Sequence, residues 1–161
     1  MYKLVIFDLD GTLLNTIDDI TESVNYALNK NSVPEITLHE CQYMVGRGVD
    51  FLIDKAVKNH KEAFENVKND YLTYYALHSS DKTKPYVGII PTIKELNKRN
   101  IEVAVLSNKP HEDVLRIVEY YFKDCHFDLV MGKKEKNRPK PSIDGCLEIK
   151  ETLQIFSDIL Y

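Results

Sequence analysis

Asp8 and Asp10 stand two residues apart at the end of an apolar run, in Leu4-Val5-Ile6-Phe7-Asp8-Leu9-Asp10-Gly11-Thr12. In extended backbone, alternate side chains leave on the same side, so both carboxylates face one way. Two acids beside an apolar strand repel each other and lose solvation. The arrangement makes sense where a cation sits between them and an anionic substrate is expected. Gly11 then lets the chain turn away. The competing reading is an ordinary Asp-Gly turn after a strand. Lys140 lies between Pro139 and Pro141, whose rings stiffen the loop and restrict where the ammonium points. Arg47 lies between Gly46 and Gly48, in a turn that interrupts the helical pattern.

These residues need elements to hold them. The continuous apolar run at 4–7 reads as a buried strand of a parallel sheet. Thr16 with Asp18 and Asp19 marks a helix start, and Ile17, Ile20, Val24, Ala27 and Leu28 carry that helix to about Lys30. After a break at 31–34, Thr37 and Glu40 repeat the capping pattern before a short helix ending near Val45. Further helices are expected from about Val49 and over about 61–77, where Tyr71, Tyr74 and Tyr75 read as packing residues. Beyond 84–87 the pattern alternates: a helix with Ile90, Ile93 and Leu96; a strand at 101–106 with Ser107 and Asn108 at its end; a helix burying Val114, Leu115, Val118 and Phe122; a strand at 127–131; and a helix capped by Ser142 with Ile143, Leu147 and Leu153. Alternation of this kind predicts a doubly wound parallel α/β sheet, with strand-end polar groups collected on one edge.

The hydrophobic strand followed by D-x-D-G-T resembles the first motif of the haloacid dehalogenase superfamily of phosphohydrolases at every position from Leu4 to Thr12. Ser107 resembles its second motif, and Arg138-Pro139-Lys140-Pro141-Ser142 resembles the third as carried by phosphoglycolate-phosphatase-like members. The resemblance implies a Rossmann-like core from residues 1–14 and 81–161 and an inserted helical cap at 15–80, with Gly46-Arg47-Gly48 as its specificity loop, where Arg47 would hold a second anionic group on the substrate or else stand as a solvated residue in a flexible turn. It also implies a mechanism. Asp8 would attack phosphorus and form an aspartyl phosphate, and Asp10 would serve as general acid and base. Lys140, Ser107, Asn108, Gly11 and Thr12 would hold the phosphoryl group, the Thr12 hydroxyl orienting the loop, and Asp8 and Asp10 would hold Mg²⁺. The implied substrate is a small phosphorylated metabolite such as 2-phosphoglycolate, with pyrophosphate or a sugar phosphate fitting nearly as well.

The resemblance lacks the family's G-D-x-x-x-D motif. After Lys140 the acids are Asp144, Glu148, Glu151 and Asp158, within or just after the expected helix. The expectation is therefore a C-terminally shortened form in which residues 159–161 begin a fourth strand and the strand bearing Asp8 is left as an open edge. An impaired fragment with a binding role is one alternative. A phospho-acceptor signalling domain is another, against which the helical insertion and D-x-D-G-T argue.

The 161 residues, 43% hydrophobic and 29% charged, suit one soluble domain or a core with an insertion. A net charge of −4 gives no global attraction to nucleic acid or to an acidic membrane, and no stretch reads as a transmembrane helix or signal peptide. The basic run Lys133, Lys134, Lys136, Arg138 and Lys140 reads as a loop, with nucleic-acid contact as its competitor. Cys41, Cys125 and Cys146 have no metal-like spacing and read as reduced thiols of a cytoplasmic protein. Oligomeric state is left open by these patterns.

Overall fold

The computed structural model describes residues 2–134, 137–155 and 158–161. Two compact units result: residues 1–14 with 85–161, and residues 15–84. The second crossing thus falls at 84/85, a few residues past the expected 80/81.

In the first unit, strands β1 (Leu4–Phe7), β4 (Glu102–Pro110), β5 (Leu129–Lys133) and β6 (Ile159–Leu160) form one parallel sheet in the order β5-β4-β1-β6. Alternation divides its residues between two faces. Leu4, Ile6, Ala104, Leu106 and Met131 cluster with Ile149 of helix α7 (Asp144–Thr152), while Val5, Val103 and Val105 point the other way and are also buried. Helices α5 (Ile89–Lys98) and α6 (His111–Tyr121) pack on β4. The α/β class with a parallel sheet is as the alternation predicts.

Several local expectations change. Strand β4 does not stop at Leu106; it runs through Ser107, Asn108 and Lys109, all buried, to Pro110. On α6 the residue packed inward is Ile117, while Leu115 is exposed. On α7 the inward residues are Gly145 and Ile149, and Ile143 and Leu147 face solvent. The third strand is shifted to 129–133, because the Asp128 carboxylate and amide are already tied to the Val103 backbone at 2.8 Å each. The open edge expected at β1 is partly closed, since β6 pairs with Leu4 and Val5.

The second unit is helical: α1 (Ile17–Lys30), α2 (Leu38–Met44), α3 (Val49–Ala56), a 3-10 turn (Lys61–Ala63) and α4 (Phe64–His78). Helix α1 turns Ile20, Val24, Ala27 and Leu28 inward against α4, which contributes Val67, Tyr71 and Tyr75. The Thr37–Glu40 capping box forms as expected. Thr16 does not cap α1 through its side chain; its backbone is already helical, with φ −105° and ψ −2°, which leaves no extended cap residue. The chain crosses between the units through β2 (Leu14–Asn15) and β3 (Lys84–Pro85), which pair as a two-stranded ribbon. Among the described residues no helix is long and apolar enough to cross a membrane.

Candidate active site

Asp8 and Asp10 follow the C-terminal end of β1, and Ser107, Asn108 and Lys109 lie at the C-terminal end of β4. Past Phe7 the chain leaves the sheet with Leu9 fully buried, so the acids on either side of it are held at the rim of the core. Three amides, from Thr12, Leu13 and Leu14, donate to the Leu9 carbonyl, and the Gly11 amide donates to Leu14 O at 2.9 Å. Gly11 makes this tight turn at φ 78°, where a side chain would be strained. Thr12 is exposed, and its hydroxyl takes none of the loop-orienting bonds among the described residues; the backbone amides do that work.

Lys140 and Asp8 are in contact. Lys140 Nζ lies 2.8 Å from Asp8 Oδ1 and donates to the Leu106 carbonyl at 2.7 Å. The Leu9 amide also donates to Asp8 Oδ1, at 2.7 Å. Two donors on one oxygen fix the carboxylate rotamer.

Asn108, expected on the phosphate, has another task. Its Oδ1 accepts from the Lys140 amide at 2.8 Å and its Nδ2 donates to the Lys140 carbonyl at 3.1 Å. The side-chain amide thus braces the backbone of the lysine loop. The loop is further held by Arg138, whose guanidinium grips Asp144 with two bonds of 2.9 and 3.0 Å and keeps that carboxyl well below its usual range. Ser142 Oγ accepts from the Asp144 amide at the start of α7 at 3.3 Å, as the expected cap implies, while its hydroxyl donates to the Asp144 carboxylate at 2.7 Å.

Ser107 is buried, and its Oγ accepts from the Lys109 amide at 3.2 Å, which leaves the hydroxyl proton for an acceptor such as a phosphoryl oxygen. The sequence reading missed Lys109. Only 7% exposed, it places Nζ 3.2 Å from Asp10 Oδ1. The sequence offers only a weak signal, a lysine next to a polar pair at a strand end, one residue before a proline.

A bulge brings these groups to the edge. The four-residue step from Leu106 to Pro110 faces the two-residue step from Met131 to Lys133, so β4 carries extra residues there and its side chains are re-aimed. A small cavity of about 20 Å³, lined in part by Ser107, Asn108, Gly132 and Lys140, lies beside this bulge.

As a divalent-cation site the strand end fits in donor type, since Asp8 and Asp10 supply hard oxygens. Asp144 and Glu148 are engaged with Arg138 and Lys134, and among the described residues no group of three His, Cys, Asp or Glu comes together. Magnesium takes six oxygens, so these residues account for part of a shell. The basic run is likewise dispersed. Lys134 pairs with Glu148, Arg138 with Asp144 and Lys140 with Asp8, Lys133 lies in β5, and Lys136 lies outside the described residues. Arg47 belongs to the helical unit, where its guanidinium lies 4.8 Å over the Phe51 ring.

The family model of haloacid dehalogenase-like hydrolases matches residues 5–159. The chain is 29% identical over 153 residues to the phosphoglycolate phosphatase of Aquifex aeolicus, covering 94% of this chain and 70% of that one. It is 29% identical over 149 residues to that of Mannheimia succiniciproducens, covering 87% and 66%. The chain thus spans about two thirds of the length of these curated relatives. A crystal structure from Lactobacillus delbrueckii subsp. bulgaricus, of a protein designated a phosphoglycolate phosphatase, superposes with a TM-score of 0.92 at 29% identity, covering 98% of this chain and 76% of that one. A haloacid dehalogenase-like protein from Bacteroides fragilis shares the fold with a TM-score of 0.90 at 20% identity, covering 100% and 78%. With the family model spanning nearly the whole chain and the strand-end acid, serine and lysine on one sheet edge, the chain belongs to the haloacid dehalogenase-like hydrolases.

Proposed function

We propose that this chain hydrolyses a small phosphate monoester of the 2-phosphoglycolate type, with Asp8 as nucleophile. The observation that carries the reading is the 2.8 Å contact of Lys140 Nζ with Asp8 Oδ1 at the end of β1. The relatives' designation as phosphoglycolate phosphatases supports the substrate class.

Asp8, with one oxygen fixed by Lys140 and the Leu9 amide, attacks phosphorus as the bond to the leaving oxygen breaks. Asp10 gives a proton to that oxygen and later takes one from the water that hydrolyses the aspartyl phosphate. Lys140 and the Ser107 hydroxyl would meet charge on the phosphoryl oxygens, the usual means of catalysing this transfer. The Asp8 carboxylate and the Asp10 carbonyl would hold Mg²⁺, which supplies further charge neutralisation when bound. Arg47 remains the candidate for a second anionic group of the substrate. Three free cysteines agree with a reducing, cytoplasmic setting.

The test is phosphate release from 2-phosphoglycolate in magnesium by this chain and by Asp8→Asn. Release that requires both the metal and Asp8 is the expected result. Equal background from both proteins would refute the hydrolase reading and favour a binding role.

A further inference from the structure

Lys109 is the most deeply buried lysine in the described sheet unit, and burying an ammonium is costly unless a partner is fixed in place. Its partner is Asp10 at 3.2 Å, with the two side chains only 6% and 10% exposed. An apolar residue would fill this position at lower cost. The backbone is built to keep the lysine there. Its amide donates to Ser107 Oγ, and its carbonyl lies against Gly132, where a Cβ would come within 2.7 Å of that oxygen and 2.6 Å of His111 Cα. Neither neighbour is a flexible side-chain end, so β5 needs glycine opposite the bulge.

Asp10 gains from such a partner because it stands on a turn and not in the sheet's regular ladder; Leu14 is its bridging residue. A carboxylate on a turn has rotamer freedom, and a proton donor must be held in line with the oxygen it serves. We propose that Lys109 is a positioning residue for Asp10, holding one carboxylate oxygen so that the other is directed at the leaving oxygen of the substrate. The inference rests on the reading of Asp10 as the general acid given above. In the step it serves, the Asp8–phosphorus bond forms, the phosphorus–oxygen ester bond breaks, and the Asp10 proton passes to the departing oxygen.

The leaving group separates this role from a structural one. 2-Phosphoglycolate departs as an alkoxide and needs a proton; p-nitrophenyl phosphate departs as a stable phenolate and needs it far less. Lys109→Met is expected to lower kcat on 2-phosphoglycolate by about 100-fold or more, and on the aryl ester by less than about 10-fold. KM for both should stay within about threefold. Lys109→Arg should restore part of the alkyl-ester rate. Asp10→Asn should show the same selectivity, and the double variant should be no slower than Asp10→Asn, as for residues acting as a unit. If Lys109→Met does not fold, Lys109→Gln is read by the same ratio.

An equal loss on both esters, a change confined to KM, or multiplicative losses in the double variant would overturn the proposal. If Asp10→Asn itself lacks selectivity, the general-acid reading fails and the proposal with it. Selectivity in Asp10→Asn but not in Lys109→Met overturns the proposal alone.

Discussion

The two units use lysine–carboxylate pairs in opposite ways. In the helical unit the pairs lie in solvent: Lys30–Asp70, Lys58–Glu40, Lys61–Asp54 and Lys68–Asp50 each have at least one side chain near half exposed. On the sheet edge, Lys109 and Asp10 are nearly sealed, while Lys140, itself 14% exposed, meets an Asp8 side chain that is 35% exposed. The same chemical pair is screened in one place and, at Lys109–Asp10, desolvated in the other. A desolvated pair is a poor way to gain stability over a hydrophobic filling, and its presence at a strand end marks a site built for an anion's chemistry.

Mutation should expose this contrast most strongly at Lys140. Lys140→Met is expected to lower kcat for phosphate release by about 100-fold or more, the scale of removing one donor to developing charge. Steady-state kinetics with unchanged circular dichroism would establish it, and a loss below tenfold would place Lys140 outside the reaction. Next is Gly132→Ala. The new methyl would meet backbone atoms of Lys109 and His111, so a loss of about 1–3 kcal/mol is expected by denaturant unfolding, along with slower turnover. By contrast, Gly145→Ala meets the end of the flexible Leu106 side chain and should cost less. Arg47→Ala comes third. It should raise KM for 2-phosphoglycolate by up to about 10-fold and leave a substrate with no second anionic group unaffected.

The exposed pairs should respond least. Lys58→Ala is expected to move the unfolding midpoint by no more than about 2 °C. A bond to Lys58, aided by the Thr37 amide and hydroxyl, holds Glu40 down at about 2. Because the folded value lies below the ordinary 4.5, the contribution is complete above that value and is lost as pH falls from about 4.5 toward about 2. Lys58→Ala should therefore flatten the acid limb of stability against pH, through a small loss above about 4.5 that fades toward about 2.

The sequence made some of this legible and hid the rest for definite reasons. A strand buried on both faces shows as the unbroken run Leu4–Phe7, and a capping box is a local motif, so β1 and the start of α2 could be read directly. Lys140 was picked out by the likeness of Arg138-Pro139-Lys140-Pro141-Ser142 to the family's third motif, which the flanking prolines make distinctive. Strand β4 was cut short because Ser107, Asn108 and Lys109 are polar, and only the pairing with β5 shows that they remain in the sheet. Lys109 was hidden for the same reason: a lysine after a strand reads as solvated until its partner Asp10 is located in space. Leu115 and Ile117 were exchanged because α6 begins at His111, and its inward stripe runs Val114, Ile117, Val118.

The central claim is that Asp8 carries the phosphoryl group. Enzyme quenched during turnover of 2-phosphoglycolate, reduced with borohydride and digested, locates an acyl phosphate as a residue converted to homoserine. The account predicts that conversion at Asp8, dependent on substrate. Steady phosphate release with Asp8 unmodified, or with the label on another residue, would contradict it.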